Sequence, residues 1–182
     1  YTLWRLGEKF RYYNIEDYDF DSLIQTLSFD QYNDIEFSAL KLFREYPDLM
    51  REYDIRDEYE LHNLLRKIQE IFQRNDIDFK RTPTIRIGNA NTENQMLELL
   101  IELAPISRID LVNAYENVYG VQSQTVSANF LKGFDEYYYY GEYRIDVSPL
   151  PMDIAIRMKE LLKDNYYSIE EIKRIFYREY PS

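Results

Sequence analysis

Three stretches of this chain follow one plan, and a repeated plan restricts the fold to an array of similar small units. They are Asp34-Ile35-Glu36 to Phe43-Arg44-Glu45-Tyr46-Pro47, Ser107-Arg108-Ile109-Asp110 to Val118-Tyr119-Gly120, and Ser168-Ile169-Glu170-Glu171 to Tyr177-Arg178-Glu179-Tyr180-Pro181. Each opens on a residue suited to cap a helix, runs for about three turns, and closes on Tyr followed by Pro or Gly. The cap oxygen satisfies backbone N–H groups that a helix start leaves free, and Pro or Gly ends the helix. Such an array argues against a single deep catalytic cleft.

The segments between these helices read in the same order twice. Residues 1–14 form an aromatic-rich hairpin pattern, Tyr1-Thr2-Leu3-Trp4-Arg5 and Lys9-Phe10-Arg11-Tyr12-Tyr13 around Gly7. A short helix follows from Asp19 to Phe29, then the Asp34-capped helix. A third helix is predicted from about Arg56 to Arg74, where Leu61, Leu64, Leu65, Ile68 and Phe72 recur at helical spacing. Residues 77–81 and 84–87 are two strand signals, and Gly88 ends the unit. A helix from Thr92 to Leu103, broken by Pro105, starts the order again. After it come the Ser107 helix, a helix beginning at Ser123 and reaching about Phe134, and a hairpin signal over 137–147. Pro149-Leu150-Pro151 is a stiff connector, and Met152 to Leu162 and Ser168 to Tyr180 are a further first and second helix.

Three helices and a two-stranded wing, twice over, resemble the winged helix-turn-helix superfamily. The best single stretch is Ser107 to Val147; the first unit departs from the pattern in its longer connection, Pro47 to Ile55, and its longer third helix. The expected fold is mostly α with short β-hairpins, arranged as tandem winged-helix-like units. Residues 1–14 are a hairpin left over from a preceding unit. Residues 15–90 are the first unit, 91–148 the second, and 149–182 the first two helices of a truncated third. Tyr1 in the place of an initiator Met, and an ending at Pro181-Ser182, predict that this is a piece of a longer chain.

The resemblance implies double-stranded DNA as one partner class, with the third helix leading into the major groove. In the second unit that helix offers Gln122, Ser123, Gln124, Thr125, Ser127 and Asn129, with Lys132 its one cation; Val126, Phe130 and Leu131 are expected to face the core. Gln and Asn can bond adenine edges, and Ser and Thr can bond phosphates. In the first unit Arg66, Lys67, Arg74, Lys80, Arg81 and Arg86 place six cations within 21 residues, a candidate phosphate-facing patch, with Glu52, Asp54, Asp57, Glu58 and Glu60 just upstream. The net charge of −11 opposes broad attraction to phosphate. It keeps a second partner class open, another protein, for which the superfamily's faces and wings also serve. Nineteen tyrosines suit half-buried surfaces of either kind. The expected role is thus a non-enzymatic, DNA-associated segment in transcription regulation, or a protein-interaction scaffold built from the same units.

Other chemistry finds little support. Asp17, Asp19 and Asp21 alternate like the start of a calcium loop, but Ser22 and Ser28 stand where such a loop needs Gly and Glu, so helix capping is expected instead. His62, the one histidine, has Glu58 at i−4 but no accompanying nucleophile motif, phosphate loop or metal-ligand spacing. No cofactor is expected. The lack of cysteine is compatible with a reducing cytosol, and no apolar run or leader points to a membrane or to export, so a cytoplasmic protein is expected.

Overall fold

The computed structural model describes residues 2–5, 7, 9–147, 151–163 and 166–181. Contacts divide the chain into two bodies, Tyr1–Ile145 and Asp146–Ser182. The fold is mostly α-helical with small antiparallel sheets.

In the first body, β1 (Thr2–Arg5) and β2 (Lys9–Tyr12) pair as a hairpin, with Leu3 opposite Arg11 and Trp4 opposite Phe10. Helix α1 (Phe20–Leu27) starts where the Asp19 carboxylate accepts the N–H groups of Asp21 and Ser22, which is the capping role expected of the Asp cluster. Then come β3 (Ile35–Ser38), α2 (Ala39–Glu45), α3 (Pro47–Glu52), α4 (Glu58–Lys67), β4 (Ile77–Phe79) and β5 (Thr84–Ile87). The three strands form one antiparallel sheet in the order β3-β5-β4. A similar succession, one helix shorter, follows with α5 (Thr92–Leu103), β6 (Ile106–Ser107), α6 (Arg108–Tyr119) and α7 (Ser123–Thr125), which continues as a π-helical turn over Val126–Phe130. Strands β7 (Tyr138–Tyr139) and β8 (Glu142–Tyr143) complete a second sheet in the order β6-β8-β7. Each set therefore has its first strand, between its first two helices, beside its last strand. Tyr140 and Gly141, with φ of 55° and 87°, make the two-residue turn of the β7–β8 hairpin, the positive-φ geometry that matches strand twist.

The structure corrects several element boundaries. Asp34 does not cap a helix: Ile35–Ser38 is a strand, and α2 begins after Ser38, whose hydroxyl accepts the Leu40 N–H. Residues 35–38 pair with 84–87, so half-buried strand pairing overrides the helical spacing. Asp34 instead holds a positive φ of 47° and accepts the N–H of Asn89. The helix expected over Arg56 to Arg74 is capped by Asp57 and stops at Lys67, followed by one 3-10 turn, Gln69–Ile71. The helix expected to reach Phe134 ends at Phe130. The paired strands expected within 137–147 are present but only two residues long each.

One core runs through both repeats, from Leu3 and Tyr13 through Phe37, Leu61 and Ile85 to Leu100, Tyr115 and Val126. The repeats are joined by close packing rather than by a linker. Gly120, at φ 70°, ends α6, and a Cβ built there would lie 2.5 Å from the Lys41 backbone nitrogen, so α6 meets the start of α2 where only a glycine fits. Gln95, 5% exposed, closes the outer edge of β3. Its amide oxygen accepts the Glu36 N–H at 2.8 Å, and its amide nitrogen donates to Glu36 O at 3.0 Å and to the Tyr115 hydroxyl at 3.2 Å.

The second body is two helices, α8 (Met152–Leu161) and α9 (Ile169–Glu179). Ser168 and Glu171 form the reciprocal cap expected of Ser168. Arg157 on α8 reaches Glu179 on α9 at 2.7 Å. Met158 is the buried side chain here among the described residues, while Met152, Ile156, Ile169 and Tyr177 are exposed. Pro149 and Leu150 of the expected connector lie outside the described residues, as do Tyr1 and Ser182.

Candidate interaction surfaces

The helix that precedes the last two strands of each set, α4 in the first and α7 in the second, is the expected contact element, and the two differ in what surrounds them. Helix α4 is covered at its leading end by the β1–β2 hairpin. Leu3 is buried against it, and Trp4 meets Tyr59 edge-on at 5.6 Å. Arg11 donates to Glu60 through both Nε, at 2.8 Å, and Nη2, at 2.9 Å; Nη1 donates to Asp54 at 2.8 Å, and Nη2 also bonds the Asp54 carbonyl. Arg5 adds Nε contacts to Asp57 at 3.4 Å and Glu60 at 3.1 Å. The Glu60 side chain is fully buried and also accepts the Arg56 N–H at 3.0 Å. The Glu60 hydrogen bond raises the Arg11 pKa above its ordinary value. Burial pushes the Asp54 carboxyl up, but the Arg56 hydrogen bond and the Arg11 charge outweigh it and hold the pKa below the ordinary value.

Of the six cations of the first repeat, three are paired with carboxylates and three are exposed. Arg74 bonds Asp76 and the carbonyls of Phe29 and Tyr32. Lys80 pairs with Asp78, and Arg86 with Glu36 at 2.6 Å. Arg66, Lys67 and Arg81 are exposed. Each paired cation has its charge matched at contact distance, which removes most of the field a phosphate would feel.

In the second repeat the face of α7 and its π turn stands open. Gln122, Gln124, Thr125, Asn129 and Lys132 are exposed, while Ser123 and Ser127 are half-buried. Val126 and Leu131 are buried and Phe130 half-buried, the inward set expected. Ser123 donates its backbone N–H to Glu116 at 2.7 Å, and the other Glu116 oxygen accepts from Arg44 at 3.2 Å. The Ser123 N–H lowers the Glu116 pKa below the ordinary value. One carboxylate on α6 thus ties the start of α7 to α2 of the first repeat. Arg108 donates to the hydroxyl of Ser127 at 3.2 Å and to its carbonyl at 3.3 Å. Between α6 and α7 lies a shallow groove flanked by Ile109, Asn113, Gln124 and Ala128, with Ile109 71% exposed. Tyr140 stands 94% exposed at the tip of the β7–β8 hairpin.

His62 is buried in α4 and fully engaged. Nε2 donates to the Thr84 carbonyl at 3.0 Å, and Nδ1 accepts the Thr82 hydroxyl at 3.2 Å, a tautomer set by this network. It pins α4 to the β4–β5 hairpin. Burial lowers its pKa, the Thr84 bond opposing and Arg66 reinforcing. The unfolded chain takes up a proton near pH 6.5 while the folded chain resists it, so stability present above that pH is lost as pH falls. We expect unfolding in urea to show about 1 kcal/mol less stability at pH 5.5 than at 7.5. His62→Gln should flatten that dependence.

Among the described residues no group of three or more acidic, His or Cys side chains is placed to hold a metal, and no helix is long and apolar enough to cross a membrane. Two features escaped sequence reasoning. Gln95 sits in register with Leu99 and Leu103 on α5, a polar residue on an apolar stripe, and Arg11 points inward from an otherwise exposed strand. Comparison with known proteins returns no match: no family model fits the chain, and no curated protein or solved structure is similar to it.

Proposed function

We propose that residues 15–90 and 91–148 are two winged-helix units and that the chain is a non-enzymatic protein-interaction scaffold built from them. The winged-helix reading is supported by the order helix, strand, helices, two strands in each set, with α3 an extra helix in the first, and by the first strand lying beside the last. One observation carries the choice of partner. The leading end of α4 is occupied by the hairpin, and its open counterpart, α7, lies in a unit with nine carboxylates against three cations, Arg108, Lys132 and Arg144. Duplex affinity draws heavily on clustered Lys and Arg, and such a unit repels phosphate. A polar, uncharged helix beside exposed Ile109 suits a protein surface, where aromatic and apolar anchors carry the energy.

A second reading, DNA association in transcription regulation, is favoured by one feature. Gln124, Thr125 and Asn129 share the open face of α7 with Lys132, and side chains of these types can read base edges. A duplex titration at about 50 and 200 mM salt separates the two. The scaffold reading expects no measurable binding at either concentration. Binding that falls about tenfold or more with salt, and is lost in Gln124→Ala/Asn129→Ala, would establish the DNA reading.

A further inference from the structure

The first repeat carries a second surface, lined by residues other than those of α7, where an edge strand meets a cleft of mixed polar and apolar lining. Strand β3 and strand β4 are the two edges of the β3-β5-β4 sheet. The β3 edge is closed by the Gln95 amide. The β4 edge has no neighbouring strand among the described residues. Gly88 donates to the Asp76 carbonyl and Lys80 to the Thr84 carbonyl, so residues 76, 78 and 80 bond inward to β5. By alternation the N–H and C=O groups of Ile77 and Phe79 point outward. That row opens onto a groove. A cleft of 280 Å³ lies against Ile77 and Phe79 and shares Phe72 and Arg74 with a larger one of 580 Å³ between α1 and the 3-10 turn. The larger cleft has Ile24, Phe29, Ile71 and Phe72 as its apolar lining and the exposed carboxylates of Asp21 and Asp30 at its rim. Arg74 also lines it, but its guanidinium is spent on Asp76 and the carbonyls of Phe29 and Tyr32.

We propose that this surface docks an extended, basic peptide segment of a partner protein, which adds as a strand to β4, seats an apolar side chain in the cleft and meets Asp21 and Asp30 with Lys or Arg. Main-chain bonds to Ile77 and Phe79 supply register, and the pocket and rim supply specificity. The carboxylates select a cationic segment over an acidic one, in keeping with the acidic balance of the whole chain. The inference rests on the protein-binding reading for its class of partner, yet uses a surface that the α7 reading does not.

The test is selection of random 12-residue peptides against the full 182-residue chain, followed by affinity measurement on the enriched synthetic peptides. Enriched peptides should carry an apolar residue flanked by Lys or Arg. N-methylation along such a peptide should weaken binding at least tenfold at alternate residues and leave the intervening ones unaffected, because only every second peptide N–H faces the edge. Asp21→Lys/Asp30→Lys, at exposed positions that leave the fold intact, should weaken binding at least tenfold, whereas Ala128→Arg on the α7 face should not change it. Failure to enrich basic peptides overturns the proposal. So does enrichment insensitive to the Asp21/Asp30 variant, or a chain that dimerises through β4 in sedimentation. If the enriched peptides respond instead to Ala128→Arg, this site is wrong while the scaffold reading survives.

Discussion

Replacing Arg11 with Met is expected to cost about 3 kcal/mol and to release the N-terminal hairpin from α4. The substitution removes the two-pronged partner of a carboxylate, Glu60, that is fully buried. Breaking a buried pair from one side costs more than the pair contributes, because the remaining charge stays desolvated. The longer Arg5 contact and the Arg56 N–H still reach Glu60 and keep the loss from being larger. Urea unfolding measures the cost, and faster amide exchange in residues 2–12 would show which part lets go. The double replacement Arg11→Met/Glu60→Leu should recover most of the stability, since a packed apolar pair of similar volume needs no desolvated charge. If Arg11→Met alone left both exchange and unfolding unchanged, the hairpin would not be held to α4 by this cluster, and the occlusion of α4 would lose its basis.

Replacing Gln95 with Leu should cost about 3 kcal/mol and separate the unfolding of the two repeats. The isosteric apolar side chain strands the N–H and C=O of Glu36 and the hydroxyl of Tyr115, and each unpaired buried group costs about 1–3 kcal/mol. Trp4, the single tryptophan, reports on the first repeat, and the nuclear magnetic resonance signals of α6 report on the second. In the parent chain the two signals should share one urea midpoint, because residues 1–145 form one body. In Gln95→Leu the midpoints should part. Coincident midpoints with unchanged stability would mean that the α2–α6 contact around Gly120 holds the repeats together unaided.

Much of this architecture was legible in residue order. Ser107 and Ser168 announced their helices because a cap hydroxyl acts within its own turn, and Gly120 announced its stop because few other residues take a positive φ. The Ile85 and Ile87 strand and the Tyr-Gly hairpin turn were legible for the same local reason. Asp34 misled because Ile35-Glu36-Phe37-Ser38 alternates in a way that only a partner strand, 50 residues downstream, turns into β structure. Arg86 is paired only through folding, which sets Glu36 against it from 50 residues away, whereas Asp76 and Asp78 stand two residues from Arg74 and Lys80 and were legible in the sequence.

The chain's own order determined that it is mostly helical with short strands, free of disulfides and strongly acidic, because caps, turn residues, hydrophobic spacing and charge act locally or in total. Tertiary structure alone decided that the hairpin covers α4 while the α7 face is exposed, that Gln95 joins the repeats at one sheet edge, and that the opposite edge has no partner strand among the described residues. Those outcomes depend on which distant groups share a buried volume. Pairing a charge or an amide there changes its free energy by several kcal/mol, an amount no local pattern records.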